Sequence, residues 1–301
     1  MQTPVCVVWM LRPVARAAAF ALLVEALAVG DLVRVGAPVR GVLRAEVIGH
    51  DVGELFRRPR HVAPVAVGVM GALSSYSKGA PVRIIGAETT GAKDLFWYVR
   101  ADSPIKSLKD TAGKTIAYST KGSSTNGIVT AFMKQYDLKA TPVATGSPSS
   151  TLTQVMSGQV DVGWSAPPFG LDQLDEHKIR IVASGNDADV FKGQTVRLLI
   201  ANEQALQSKR DAFNRFMQAY RETINYMYTD PAALKVYAEF VGISEAKAKR
   251  TRDEFFPREA IDPDRIVGLE QIVKDAVDLK FTAQPLTNAQ LAELVQIPPA
   301  K

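Results

Sequence analysis

The sequence of 301 residues has one cysteine and three histidines, and these two scarcities remove whole classes of chemistry. A lone thiol, Cys6, closes no intrachain disulfide and builds no cysteine-based zinc site, while His50, His61 and His177 are too few and too scattered for a histidine metal centre. No metal and no cofactor is expected. Long apolar runs are also missing: the longest, Ala17 to Gly30, is interrupted by Glu25 and falls short of the ~20 residues a bilayer crossing needs, which excludes a multi-span membrane protein. One further absence is local. Before Ser74 there is no lysine, serine, asparagine or tyrosine, although all four are common afterwards.

What is present is an ordinary globular composition, 47% hydrophobic and 22% charged, in a chain long enough for two lobes. The net charge of +5 is unevenly placed: eight arginines against five acids fall within the first 66 residues. The rest is close to neutral and interleaves no basic cluster with aromatics, so no nucleic-acid partner is expected. Residues 1 to 64, rich in Arg, Ala, Val and Gly without strand or helix period, read as an atypical segment. Such a bias is what a shifted reading frame or a misplaced start gives. Arg12 and Arg16 ahead of Ala17 to Val24, with Ala26-Leu27-Ala28 behind, form a weak export signal.

From residue 65 strands and helices alternate. Strands are predicted at Val65 to Val67, Val82 to Ile85, Leu95 to Arg100, Thr115 to Tyr118, Thr141 to Ala144, Val160 to Gly163, Ile179 to Ala183 and Thr195 to Ala201. Helices between them, Gly68 to Ser77, Thr125 to Tyr136, Thr151 to Met156 and Pro168 to Leu174, imply α/β units on a mainly parallel sheet. Helices alone follow: Asp211 to Tyr228 with a stripe of Phe213, Phe216, Met217, Tyr220, Ile224 and Tyr228, then one from Pro231 to Gly242, one capped by Ser244, one from Asp262 to Leu279 and one from Thr287.

The candidate binding residues stand in loops that follow strands and open helices. Ser119, Gly122, Ser123, Ser124 and Thr125 form one; Gly146 and Ser147 a second; Trp164, Ser165 and Ala166 a third. A helix start presents unpaired N–H groups and about half a positive charge, hydroxyls add donors, and glycine lets the backbone come close, so an anion suits such a place. Trp164 could wall the pocket. Val65-Ala66-Val67-Gly68, followed by Val69 and Met70, echoes Val160-Asp161-Val162-Gly163 and sets a matching helix start in the opposite lobe, with Gly68, Val69 and Met70 as ligand contacts. Enzyme motifs fail on spacing. Gly113-Lys114-Thr115 lacks the glycine of a P-loop and leads into a strand, and Gly163-Trp164-Ser165-Ala166-Pro167 lacks the second glycine of a nucleophile elbow. No catalytic residue is assigned, and the chain reads as a binder.

The run Asp102-Ser103-Pro104-Ile105-Lys106-Ser107-Leu108-Lys109-Asp110, with Gly113-Lys114-Thr115-Ile116-Ala117 and Ser123-Ser124-Thr125, resembles the substrate-binding proteins of ABC importers. So does Leu152-Thr153-Gln154-Val155-Met156-Ser157-Gly158-Gln159-Val160-Asp161-Val162. The likeness spans residues 65 to 297 and is strongest to the nitrate/sulfonate/taurine-binding branch, which shares its fold with thiamine-pyrimidine-precursor synthases. It implies a two-lobed type II periplasmic-binding fold with hinge strands and a helical C-terminal layer. Lobe 1 would be residues 65–94 and 201–301, lobe 2 residues 95–200, with the crossings at Leu95 to Arg100 and Thr195 to Ala201. The implied role is an exported, periplasmic monomer that captures a small anionic or zwitterionic solute between its lobes and delivers it to an ABC permease. A ligand sensor, or a pyrimidine-precursor synthase on the same fold, is the alternative. Residues 1 to 64 match nothing in the family, and Ala66 stands where a first-lobe Val-Asp-Val strand would carry Asp.

Overall fold

The computed structural model describes residues 32–35, 45–48 and 64–300. Apart from two short strands, the readings placed on residues 1–63, including Cys6, His50, His61 and the export signal, lie outside these residues. The two strands, β1 (Leu32–Val35) and β2 (Ala45–Ile48), pair antiparallel with Leu32 opposite Ile48.

Two sheets form the body. In the first, β10 (Arg197–Asn202) lies between β3 (Val65–Gly68) and β4 (Val82–Ala87) and runs antiparallel to both. All six residues of β10 are buried, because helices cover both faces. Strand alternation divides the packing. Val65, Val67, Leu198 and Ile200 face α1 (Val69–Ser77) and α9 (Leu269–Asp278), whereas Ala66, Ile85, Leu199 and Ala201 face the long α6 (Arg210–Thr229) through Phe213, Met217 and Tyr220.

In the second sheet β5 (Phe96–Arg100) lies between β8 (Gly163–Ser165) and β9 (Ile179–Ser184), again antiparallel. β6 (Thr115–Tyr118) and β7 (Thr141–Ala144) pair in parallel, and a parallel bridge joins Ile116 to Val162. Asp161 secures that junction: its carboxylate accepts from the Thr115 amide at 2.9 Å and the Thr115 hydroxyl at 3.0 Å. Burial opposes the charge, yet these bonds and Lys114 hold the Asp161 carboxyl below the usual range. The aspartate in the Val-Asp-Val motif is therefore a stitch between strands.

The parallel reading holds for β6, β7 and Val162 and fails for the two three-stranded sheets. Each of those sheets takes in a strand that the chain delivers after passing between the sheets, and such a strand arrives with reversed direction. The passages run between β4 and β5 and between β9 and β10, where Thr90 pairs with Thr195. Gly91 N donates to Gln194 O and Val196 N to Thr89 O.

Other differences are local. The strand expected from Val160 forms its ladder only at Gly163–Ser165, and Asp262-Pro263 opens a turn, with the helix beginning at Leu269 after Gly268 in a left-handed conformation. α2 (Ser124–Gln135), α3 (Pro148–Met156), α4 (Leu171–Asp175), α5 (Glu203–Ser208), α7 (Ala233–Val241), α8 (Glu245–Arg250) and α10 (Asn288–Leu294) complete the chain. The caps are those the residues dictate. The Ser244 side chain accepts from Lys247 N, and Thr287 with Gln290 closes a capping box. No helix among the described residues is long and apolar enough to cross a membrane.

The second sheet centres on Trp97, which is fully buried, donates its indole N–H to Ala117 O at 2.9 Å and meets Phe132 edge-on at 5.1 Å. Trp97→Ala should cost about 3–5 kcal/mol in urea unfolding, through the cavity it leaves. A loss below about 1 kcal/mol would show that the sheet does not depend on this side chain.

Candidate functional site

The starts of α1 and α2 meet. Gly68 ends β3 and caps α1, and a Cβ built on it would lie 2.6 Å from Ser124 N; one on Gly71 would lie 2.2 Å from Gly122 O. Neither distance admits a side chain, so glycine at 68 and 71 is what lets the two backbones touch. Gly122 itself has φ +86°, a left-handed conformation that turns the chain from β6 into α2.

Within this junction the hydroxyls divide the work. Ser123 Oγ is the N-cap of α2, accepting from Asn126 N at 3.1 Å, and it also bonds Thr125 Oγ1 at 2.9 Å. Thr125 Oγ1 in turn accepts from Ser119 N at 2.8 Å. Gly122 N donates to Asn126 Oδ1, and Val69 N is engaged by Val196 O. Helical geometry leaves the Ser124 and Thr125 N–H groups without intrahelical acceptors. Ser124 Oγ, in a residue 4% exposed, has no hydrogen-bond partner.

The second loop joins the first through Gly146 N, which donates to Ser119 O at 3.1 Å. Its Ser147 caps α3 and remains part-exposed. The third segment is tied in by Trp164, whose indole N–H donates to Thr145 Oγ1 at 3.3 Å. Trp164 is a strand residue opposite Trp97 in β8 and fully buried, not the loop residue the sequence suggests; Ser165 bonds Phe169 O and Ala166 is buried. Val69 and Met70 are buried as well, and Met70 lies alongside Gly127 of α2. The three segments thus form one connected set around the α2 start, with Ser123, Ser124 and Gly68 at its centre.

A charged group that the motif reading did not single out lies next to them. Arg197 is the direct strand partner of Gly68, and Glu88 N donates to Arg197 O, so Gly68, Arg197 and Glu88 form a row across the rim of the first sheet. Arg197 is fully buried; its Nη2 donates to Asp94 at 2.6 Å, while Nε and Nη1 have no partner. Glu88 is 1% exposed, accepts from the Tyr220 hydroxyl at 3.4 Å on one oxygen, and has no partner on the other. Burial pushes the Glu88 carboxyl up to about 7, against the pull of Arg197 and Tyr220 and with Asp94 adding to the rise. The same burial, with Glu88 beside it, raises the Tyr220 hydroxyl well above its ordinary value. In sequence, the sign was an arginine inside the apolar run Thr195-Val-Arg-Leu-Leu-Ile-Ala201.

Two ion pairs join α8 to α4: Lys247 pairs with Asp172 and, one helical turn on, Arg250 with Asp175.

The profile described as NMT1/THI5 like matches residues 60–234, more than half of the chain. The chain belongs to the NMT1/THI5-like family. Curated protein sequences offer no match. Solved structures show the fold of this NMT1/THI5-like protein. The alkanesulfonate-binding protein SsuA from Xanthomonas axonopodis pv. citri, bound to MOPS, superposes with TM-score 0.63 at 20% identity, over 77% of this chain and 80% of its own. The periplasmic aliphatic sulphonate-binding protein SsuA from Escherichia coli gives 0.61 at 17%, over 78% and 76%. A cysteine-to-serine mutant of DszB in complex with biphenyl-2-sulfinic acid gives 0.51 at 17%, over 77% and 82%.

Two predictions follow from the geometry of this NMT1/THI5-like protein. Gly71→Ala should hold the starts of α1 and α2 apart, lengthening the distance between spin labels at Ser77 and Lys134; a wild-type distance would contradict the close approach. Because folded Glu88 keeps its proton up to about pH 7 and the unfolded chain only to about 4.5, stability is fully present below 4.5 and declines as pH rises to about 7. Glu88→Gln should abolish that decline, a gain of the order of 3 kcal/mol at pH 8 in chemical denaturation, and parallel pH profiles of the two proteins would refute it.

Proposed function

We propose that this protein is the solute-binding component of an ABC importer, working in the periplasm, and that it holds a small organic sulfonate at the meeting of α1 and α2. The observation that carries the reading is the buried, unpartnered hydroxyl of Ser124 at the first turn of α2, beside the start of a second helix. Each helix start carries about half a positive charge. Two of them at this range repel, and an anion between them turns the repulsion into attraction on both sides.

A sulfonate fits by shape and charge. It offers three acceptor oxygens, enough for the Ser124 hydroxyl and the first-turn N–H groups of Ser124 and Thr125. The likeness in fold to sulfonate-binding proteins supports the same solute class. Backbone meets backbone at Gly71 and Gly122, which supports a cycle in which the two helix starts part to admit solute and come together again when it leaves. The ion pairs between α8 and α4 then give the two forms distinct surfaces, which is what a permease can read.

The reading as an enzyme rests on the likeness in fold to DszB. The described residues offer little for it: they hold no cysteine, and their one histidine, His177, is exposed at a helix end. Binding without turnover accounts for the buried serine with fewer assumptions.

The test separates the two serines. Ser123→Ala removes a cap and should cost about 1 kcal/mol of stability, whereas Ser124→Ala removes only a hydroxyl without a partner and should weaken ethanesulfonate by about 1–3 kcal/mol in isothermal titration while leaving unfolding nearly unchanged. In the wild type, ethanesulfonate at 100 times its Kd should add about 2.7 kcal/mol to stability. No heat and no thermal shift with either ethanesulfonate or taurine would overturn the reading.

A further inference from the structure

The charged row at the sheet rim points into the same space as the start of α2. Residues directly opposite in an antiparallel pair project to one face, so the side chain of Arg197 leaves the sheet on the side to which a Cβ of Gly68 would point. That side is where Ser124 N lies, 2.6 Å from the missing Cβ. Leu198 faces Ala87, and the register therefore sets Glu88 next to Arg197 on the same face. Tyr220 of α6, which covers this face, reaches Glu88 and confirms the direction. Four unpartnered polar atoms are thereby brought to one buried rim: Ser124 Oγ, Arg197 Nε and Nη1, and Glu88 Oε2.

Their charges do not cancel. Asp94 already matches Arg197 through a fully buried ion pair at 2.6 Å, which leaves Glu88 as the unmatched group and the guanidinium with two spare donors. The other groups around Glu88 offer no cation. Tyr220 is a neutral hydroxyl, and Asp262, whose amide donates to Glu88 O, turns its carboxylate to Asp264 N and Arg265. A buried carboxylate with a free oxygen calls for a cation, and spare guanidinium donors beside a helix start call for an anion.

We propose that Glu88 and Arg197 form the floor of the solute site and select a zwitterion, an aminoalkanesulfonate whose anionic end lies against Arg197 and the start of α2 and whose ammonium group lies on Glu88. This rests on the sulfonate-binding reading above and narrows it. It also fixes the sign of the proton linkage. An ammonium solute requires Glu88 ionised and releases its proton on binding. A simple sulfonate favours Glu88 protonated and takes one up.

Isothermal titration of the full chain with taurine and with ethanesulfonate, at pH 6, 7 and 8, tests this. Taurine should bind at least tenfold more tightly than ethanesulfonate at pH 8. Its affinity should rise about tenfold from pH 6 to 8, while that of ethanesulfonate falls. Glu88→Gln should erase the preference and the pH dependence while still binding ethanesulfonate, and the wild-type pH profiles carry the same information should that variant not fold. Equal affinities, flat in pH, would overturn the proposal and leave the sulfonate reading standing. Binding of neither probe would overturn both. Weakening of ethanesulfonate alone by Ser124→Ala, with Glu88→Gln silent on both solutes, would place the sulfonate at α2 and exclude the acid from the site.

Discussion

Two helices begin at the same point in space, and nothing but backbone separates them. Gly68 and Gly71 make this possible, because a methyl group on either would overlap the chain at Ser124 or Gly122. The rest of the arrangement depends on that approach. It aligns two positive helix ends, buries the Ser124 hydroxyl without a partner, and sets the rim of the first sheet, with Arg197 and Glu88, against the first turn of α2. Like partial charges held this close cost energy, and proteins retain such costs where a ligand repays them.

The second feature of the rim is a buried cluster with one more acid than its single arginine matches. Removing one partner of a buried pair such as Asp94 with Arg197 costs more than the pair itself contributes, because the remaining charge is stranded. Glu88 is already stranded by this criterion, with burial raising its hold on a proton to about pH 7. In the proposed binding role such a group would have a use: its charge would change hands when the right solute arrives, and a solute lacking the complementary group would not restore the balance.

Much of this was legible in the sequence because local chemistry is unambiguous there. The boundaries of β6 and β7 follow from short β-branched runs, and Ser244 and Thr287 cap the helices their positions foretell, whereas α2 and α3 begin one and three residues earlier than expected, at Ser124 and Pro148, because Ser123 and Ser147 take the caps. The part that was not legible is long-range. Sheet direction in the three-stranded sheets depends on the passages between them, which no local period encodes, so α/β alternation read as parallel where β5 and β10 run antiparallel. Trp164 next to glycine, serine and proline looked like a loop residue, and strand pairing with Trp97 decided otherwise. Arg197 was visible as a charge in an apolar strand, but its partners lie 103 and 109 positions away, and only the fold brings Asp94 and Glu88 to it.

The meeting of α1 and α2 is the proposed place of the solute. A crystal structure of the protein with ethanesulfonate or taurine tests it most directly. The sulfonate oxygens should lie within hydrogen-bond distance of Ser124 Oγ and the first-turn amides of α2, with the starts of the two helices drawn apart to admit them. A sulfonate bound elsewhere, with Gly71 still in contact with Gly122 and the Ser124 hydroxyl still without a partner, would contradict it.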